Sequence, residues 1–200
     1  MNLSFDNQQD KLEDIAKKCS LSKPCPPDSY AFHLWSGAAN IVGPKICFDG
    51  KILMSHVVNN IGPGINIVVI NNESGVVVKL GFLNMENGNK DSMLDFLKTI
   101  PPGSIVLLAS FRDVIPRMTD EMRDVFEEMG STMVKSLKSR DGWVFAGKMG
   151  AKEKSIFEKV AANDKDTNLY DEWPRVVEIG GCYPKKLSSE YASAEDTTDN

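Results

Sequence analysis

The strongest constraint on the fold is a pair of β-branched runs, Ile65-Asn66-Ile67-Val68-Val69-Ile70 and Val76-Val77-Val78-Lys79-Leu80-Gly81-Phe82-Leu83, separated only by Asn71-Asn72-Glu73-Ser74-Gly75. Branching at Cβ suits a pleated strand, and the intervening polar residues suit a turn, so the two runs are expected to pair antiparallel. A second hairpin is written in Ile46-Cys47-Phe48, Asp49-Gly50 and Lys51-Ile52-Leu53-Met54, because Asp-Gly tolerates the positive φ angles of a tight turn. Tyr30-Ala31-Phe32-His33-Leu34-Trp35 alternates as a strand does, and 105–111, 143–146 and 175–179 supply further strands. Helices are predicted over 91–100, ending before Pro101-Pro102-Gly103, and over 119–129, which opens on a capping Thr119 and stops at Gly130. Ser155-Ile156-Phe157-Glu158 reads as a capping box opening a third short helix to about residue 162. Short strands joined mostly by hairpins, with helices between them, predict an α+β domain with antiparallel sheets.

A chain of 200 residues with 42% hydrophobic and 26% charged side chains is large enough for one substantial core. No apolar run approaches the roughly 18–20 residues of a membrane helix, so no membrane insertion is expected. Met1-Asn2-Leu3-Ser4-Phe5-Asp6 lacks the basic start and apolar block of a signal peptide. The net charge of −5 is peripheral: residues 187–200 hold Glu190, Glu195, Asp196 and Asp199 with no base, and residues 1–18 are one charge negative. Residues 19–186 are neutral, which argues against a nucleic-acid partner. Both ends read as polar tails, the last of them acidic and disordered.

Four cysteines, Cys19, Cys25, Cys47 and Cys182, allow three pairings and match no zinc spacing. Two disulfides are the favoured reading, with four buried thiols in a reducing compartment as the alternative. Only two histidines could serve as a catalytic base; His33 reads as a structural residue in a strand and His56 as an exposed loop residue. No Gly-x-Ser-x-Gly elbow is present, and Gly62-Pro63-Gly64 precedes a strand rather than a phosphate-binding helix. Catalysis, metal and cofactor are therefore not expected.

Two polar clusters remain, Phe111-Arg112-Asp113 at a strand end and Ser139-Arg140-Asp141-Gly142-Trp143 leading into another strand. The plain reading is turn residues and a surface ion pair. The sharper one is a sugar site, with Asp113 and Arg140 bonding hydroxyls and Trp143 offering a flat face. Asn72-Glu73-Ser74, on a predicted hairpin tip, and Asn2-Leu3-Ser4 are N-glycosylation sequons that matter only in an exported chain.

Eight segments carry a family resemblance: Cys19-x5-Cys25-Pro26, Ser36-Gly37-Ala38-Ala39-Asn40, Val42-Gly43-Pro44-Lys45-Ile46-Cys47, Gly64-Ile65-Asn66, Gly130-Ser131, Arg140-Asp141-x-Trp143-Val144-Phe145, Asp166-Thr167-Asn168-x-Tyr170-x-x-Trp173-Pro174 and Gly181-Cys182-x-Pro184. In order and spacing the chain resembles, over residues 19–186, the secreted cytokine-like family of interleukin-like EMT inducer and pancreatic-derived factor, whose domain is also called the GG-type lectin domain. The resemblance implies two packed antiparallel sheets lined by about three short helices around a polar cavity. It also implies bridges Cys19–Cys47 and Cys25–Cys182, and a secreted, non-catalytic signalling protein acting on a cell-surface receptor. The signal peptide such a protein needs is read as missing or removed. Ala146 stands where some members carry a further cysteine, so the chain is expected as a monomer or non-covalent dimer.

The resemblance extends to the glycan-binding stem domain of a protein O-mannose N-acetylglucosaminyltransferase, whose sugar-contacting Asp and Arg match Asp113 and Arg140. A carbohydrate-binding module is accordingly the alternative function. A further Arg of that site falls where this chain has Pro63, within Gly62-Pro63-Gly64, which removes a fork of donors. Met85-Glu86-Asn87-Gly88-Asn89 likewise departs from an aspartate-bearing family segment.

Overall fold

A computed structural model describes residues 17–186; most of the N-terminal lead, the acidic segment 187–200 and the Asn2 sequon lie outside the described residues. In chain order the elements are β1 (Ser29–Trp35), β2 (Lys45–Phe48), β3 (Lys51–Met54), β4 (Gly64–Ile70), β5 (Val77–Leu83), α1 (Lys90–Lys98), β6 (Ile105–Phe111), α2 (Asp120–Glu128), β7 (Gly142–Lys148), β8 (Phe157–Ala161) and β9 (Glu178–Pro184). The strands form two sheets, ordered β3-β2-β1-β9 and β5-β4-β6-β7-β8, and every pairing is antiparallel. The expected α+β architecture of two packed antiparallel sheets is what the chain adopts.

The runs that read as continuously apolar are buried on both faces. Every residue of β4 and β6 is buried. Ile65, Ile67, Val69, Val106 and Leu108 pack against Met93 and Leu97 of α1 and Met122, Val125 and Phe126 of α2. The alternate residues Val68, Ile70, Ile105, Leu107 and Ala109 pack against Phe32, Leu34 and Ile46 of the four-stranded sheet. Period two thus sends neighbouring side chains into two separate cores. The interior between the sheets is apolar, so the polar cavity implied by the resemblance does not lie there.

Local chemistry accounts for the element ends. Asp49 and Gly50 take φ of 48° and 86°, as a two-residue hairpin turn demands. Asn89 caps α1 by accepting from Ser92 N–H at 2.9 Å, and Thr119 caps α2 by accepting from Met122 N–H at 3.2 Å. The strand expected over 175–179 runs instead from Glu178 to Pro184. Gly180 and Gly181 are required in β9. A Cβ on Gly181 would come within 2.8 Å of the Phe157 ring, and one on Gly180 within 2.7 Å of Leu21.

The third helix is a correction: residues 157–161 form β8, paired with β7, leaving two α-helices among the described residues. The capping-box side chains are drawn into tertiary bonds. Ser155 Oγ donates to the Ala146 carbonyl and accepts from Phe157 N–H at 3.0 Å. The Glu158 carboxylate accepts from Trp143 Nε1 at 2.9 Å, Ser131 Oγ at 2.6 Å and Thr132 N–H at 2.8 Å. Tertiary donors outcompete the helix the local motif would have started. Glu158→Ala should therefore leave Trp143 Nε1 and Ser131 Oγ buried without an acceptor, costing about 3 kcal/mol in urea unfolding at pH 7. A shift below about 1 kcal/mol would show that water replaces the carboxylate.

Asn72 lies in the turn between β4 and β5, as expected. The β4–β5 turn folds down beside β1 and the end of β9, leaving Asn72 only 7% exposed. Its Oδ1 accepts from Lys186 N–H at 3.1 Å, and its carbonyl accepts from the Tyr30 hydroxyl at 3.3 Å. Asn71 takes the turn role instead, its Oδ1 accepting from Glu73 and Ser74 N–H.

Candidate functional site

The structure pairs Cys19 with Cys47 and Cys25 with Cys182, and no cysteine is free. The first bridge ties the 3-10 turn Lys18–Ser20 to β2; the second ties the chain before β1 to β9. His33 sits inside this arrangement. Its ring stacks on Trp35 at 3.7 Å, with Nδ1 3.0 Å from the Cys19 carbonyl and Nε2 2.8 Å from Glu178. His33 is structural, and His56 lies exposed after β3.

Both polar clusters stand at the same end of the five-stranded sheet, where β6 finishes and β7 begins. A small cleft there is lined by Gly37, Arg112, Arg140, Gly142, Trp173 and Arg175. Several bonds build it. Gly37 N–H donates to the Ser110 carbonyl at 2.8 Å, Ser36 N–H to Val177, and the Ser110 hydroxyl accepts from Trp143 N–H. Position 37 must be glycine, since a Cβ would lie 2.5 Å from the Phe111 ring and 2.8 Å from the Val42 carbonyl. Asp141, 5% exposed, accepts from Lys138 N–H at 2.8 Å and Asn163 N–H at 2.7 Å, pinning the loop that carries Arg140.

Arg112 and Arg140 both take left-handed backbone conformations, with φ of 59° and 64°. Such residues cost on the order of 1–2 kcal/mol and persist only where surrounding bonds hold them. The Arg140 guanidinium pairs with Glu172 and lies 4.8 Å over the Trp173 ring. Arg112 lies over Phe111 and reaches Glu86 at 3.5 Å, while its Nε is buried with no acceptor among the described residues. Arg175 adds a third cation.

The residues expected to hold a sugar are not gathered together. Arg140 lines the cleft. Asp113 does not: its carboxylate accepts from Ser139 Oγ and from Ile115 N–H at 3.0 Å. Trp143 is a correction, being fully buried in the helix-facing core, edge-on to Phe126 at 5.4 Å. It faces away because it alternates with Gly142 and Val144 along β7, and its Nε1 is committed to Glu158. Pro63 precedes Gly64, which pairs with Phe111, so position 63 stands beside the end of β6. Arg175 and Trp173 carry the cleft instead. The only sequence signal for them was the family segment ending Trp173-Pro174 and the strand assigned to 175–179.

A cleft with Arg140 over the Trp173 ring thus stands at one end of a disulfide-closed sandwich of two antiparallel sheets. The family model described as interleukin-like EMT inducer matches residues 63–151. The chain is 47% identical to protein FAM3C of Rattus norvegicus over 84% of this chain and 74% of that one. It is 46% identical to protein FAM3C of Homo sapiens over the same shares, and 43% identical to protein FAM3D of Mus musculus over 88% of this chain and 79% of that one. The chain belongs to this family of cytokine-like FAM3 proteins. Among the described residues, no helix is long and apolar enough to cross a membrane.

Proposed function

We propose that the chain is exported and acts without catalysis, as a cytokine-like ligand that docks an extracellular receptor through the free edge of its five-stranded sheet. Two disulfides support export, because such bonds persist in oxidising compartments. The observation carrying the docking surface is on β5, which among the described residues has a partner strand on one side only. Val76, Val78, Leu80 and Phe82 are 62%, 47%, 38% and 44% exposed. Leu80 pairs with Val68, a residue of the inter-sheet core, so the stripe continues that core's face past the cover of the smaller sheet. An apolar stripe beside unpaired backbone donors and acceptors suits strand addition by a partner protein.

A second reading is lectin-like, with the Arg140 guanidinium donating to a sugar hydroxyl and Asp113, which does not line the cleft, left out of the contact. The buried, unbonded Arg112 Nε favours it. The enclosed space is only about 10 Å³, room for about one water, so a sugar ring would lie over the cleft rim and send one polar group inward.

One comparison separates the readings. Val78→Glu/Leu80→Glu, at exposed positions, should reduce binding to responsive cells at least about tenfold while leaving glycan-array binding unchanged. Arg140→Ala should do the converse if the cleft holds a sugar. Full cell binding by the β5 variant would overturn the receptor surface, and full glycan binding by Arg140→Ala would remove Arg140 from a sugar site.

A further inference from the structure

A larger concavity lies between the connection from β7 to β8, residues 149–156, and the end of β9. It encloses about 840 Å³. Its apolar lining includes Met129, Met149, Ile156, Phe157 and Tyr183, and Ile156 is 85% exposed. Its charged lining is one-sided: Lys148, Lys152, Lys154, Lys185 and Lys186 against the single acid Glu153. Two of those cations are engaged. Lys186 pairs with Glu73 at 2.9 Å, and Lys185 donates to the Pro27 carbonyl and lies over the Tyr30 ring. Lys148, Lys152 and Lys154 meet no carboxylate among the described residues. A basic surface next to an exposed isoleucine is the complement of an acidic segment that carries apolar anchors.

We propose that residues 187–200 of the same chain occupy this groove, their carboxylates on Lys148, Lys152 and Lys154 and their apolar side chains against its hydrophobic lining. The segment supplies the matching chemistry. It holds Glu190, Glu195, Asp196 and Asp199 with no base, and Leu187 and Tyr191 as apolar groups. It also starts in the right place, since Lys186 is itself part of the groove wall, held by its N–H on Asn72 Oδ1. No linker has to be spanned. Docking is then intramolecular, at an effective concentration on the order of millimolar, so weak contacts suffice. Fourteen residues reach about 45 Å when extended, more than enough to line the groove.

Hydrogen exchange on the full chain tests this. At low salt, amides in 150–156 and 187–200 should exchange several-fold more slowly than in Lys152→Glu/Lys154→Glu, and 0.5 M salt should erase the difference, because screening is nearly complete at about 4–5 Å. Neutralising the segment, with Glu190→Gln/Glu195→Gln/Asp196→Asn/Asp199→Asn, should release both stretches equally. Combining Lys152→Glu/Lys154→Glu with Glu190→Lys/Glu195→Lys should restore protection. Unchanged thermal midpoints show that each variant stays folded. Equal exchange in all proteins would overturn the proposal, and so would groove protection that survives neutralisation of the segment, which would assign the groove to a second copy or an external acidic ligand.

Discussion

Cys25→Ser/Cys182→Ser should lose about 5 kcal/mol of unfolding free energy, against about 3.5 kcal/mol for Cys19→Ser/Cys47→Ser. The difference follows from the chain each bridge closes, 157 residues against 28. Cross-linking removes loop-closure entropy from the unfolded chain, and that term rises with the logarithm of loop length. The tertiary setting acts in the same direction. β9 is an edge strand bonded to β1, with Ala31 opposite Cys182, and the two strands come from opposite ends of the described chain. Without the bridge, β9 is held by strand pairing, by the His33–Glu178 contact and by packing of Ile179 and Tyr183 in the inter-sheet core. A domain of this size has about 5–15 kcal/mol in total, so the first variant should be largely unfolded at 37 °C if it lies at the lower end. Denaturant midpoints under non-reducing conditions decide the matter, and equal losses for the two pairs would sink the loop-length account.

Gly64→Ala should cost about 4 kcal/mol or more, or prevent folding, because two mechanisms combine at one atom. Gly64 has φ of +99°, a region that strains L side chains. Its Cβ would lie 2.1 Å from the Leu83 carbonyl oxygen and 2.6 Å from Met85 N. Both obstacles are backbone, and Leu83 stands opposite Ile65 in the antiparallel ladder, so neither can yield without disturbing the β4–β5 pairing. Asn66 tightens the loop further, bonding both the N–H and the carbonyl of Gly62 at 2.9 Å. Gly81→Ala is the control. It lies in β5 with nothing within 4 Å of a Cβ, so it should be neutral or stabilise by about 0.5 kcal/mol. Similar losses at both positions would mean that general strand effects, not the clash at Gly64, set the cost.

What a few neighbouring residues encode was legible without coordinates. Alternation and β-branching located β1, β4, β5 and β6; Asp49-Gly50 set a hairpin; Thr119 and Gly130 bounded a helix. These features depend on contacts within a turn or two of chain. The sandwich itself, with helices over one face, follows from burying runs that are apolar on both sides.

Other features were settled by what packs on top. Ser155 and Glu158 have the pattern of a helix start, but donors from β7 and residues 131–132 claim the carboxylate, and the segment becomes β8. Asn72 reads as a loop tip because nothing local says that β1 and Lys186 will close over it. Trp143 and Arg140 sit three residues apart in one polar motif, yet strand alternation buries the first and leaves the second at a cleft. Arg175 joins Arg112 and Arg140 only because the chain returns past Ser36 through the Val177 bonds. The sequence by itself thus determined strands, turns, helix caps and class of fold, whose energetics are local. Burial, long-range partners and the convergence of three arginines were decided by tertiary structure, since each depends on a side chain supplied from a distant part of the chain.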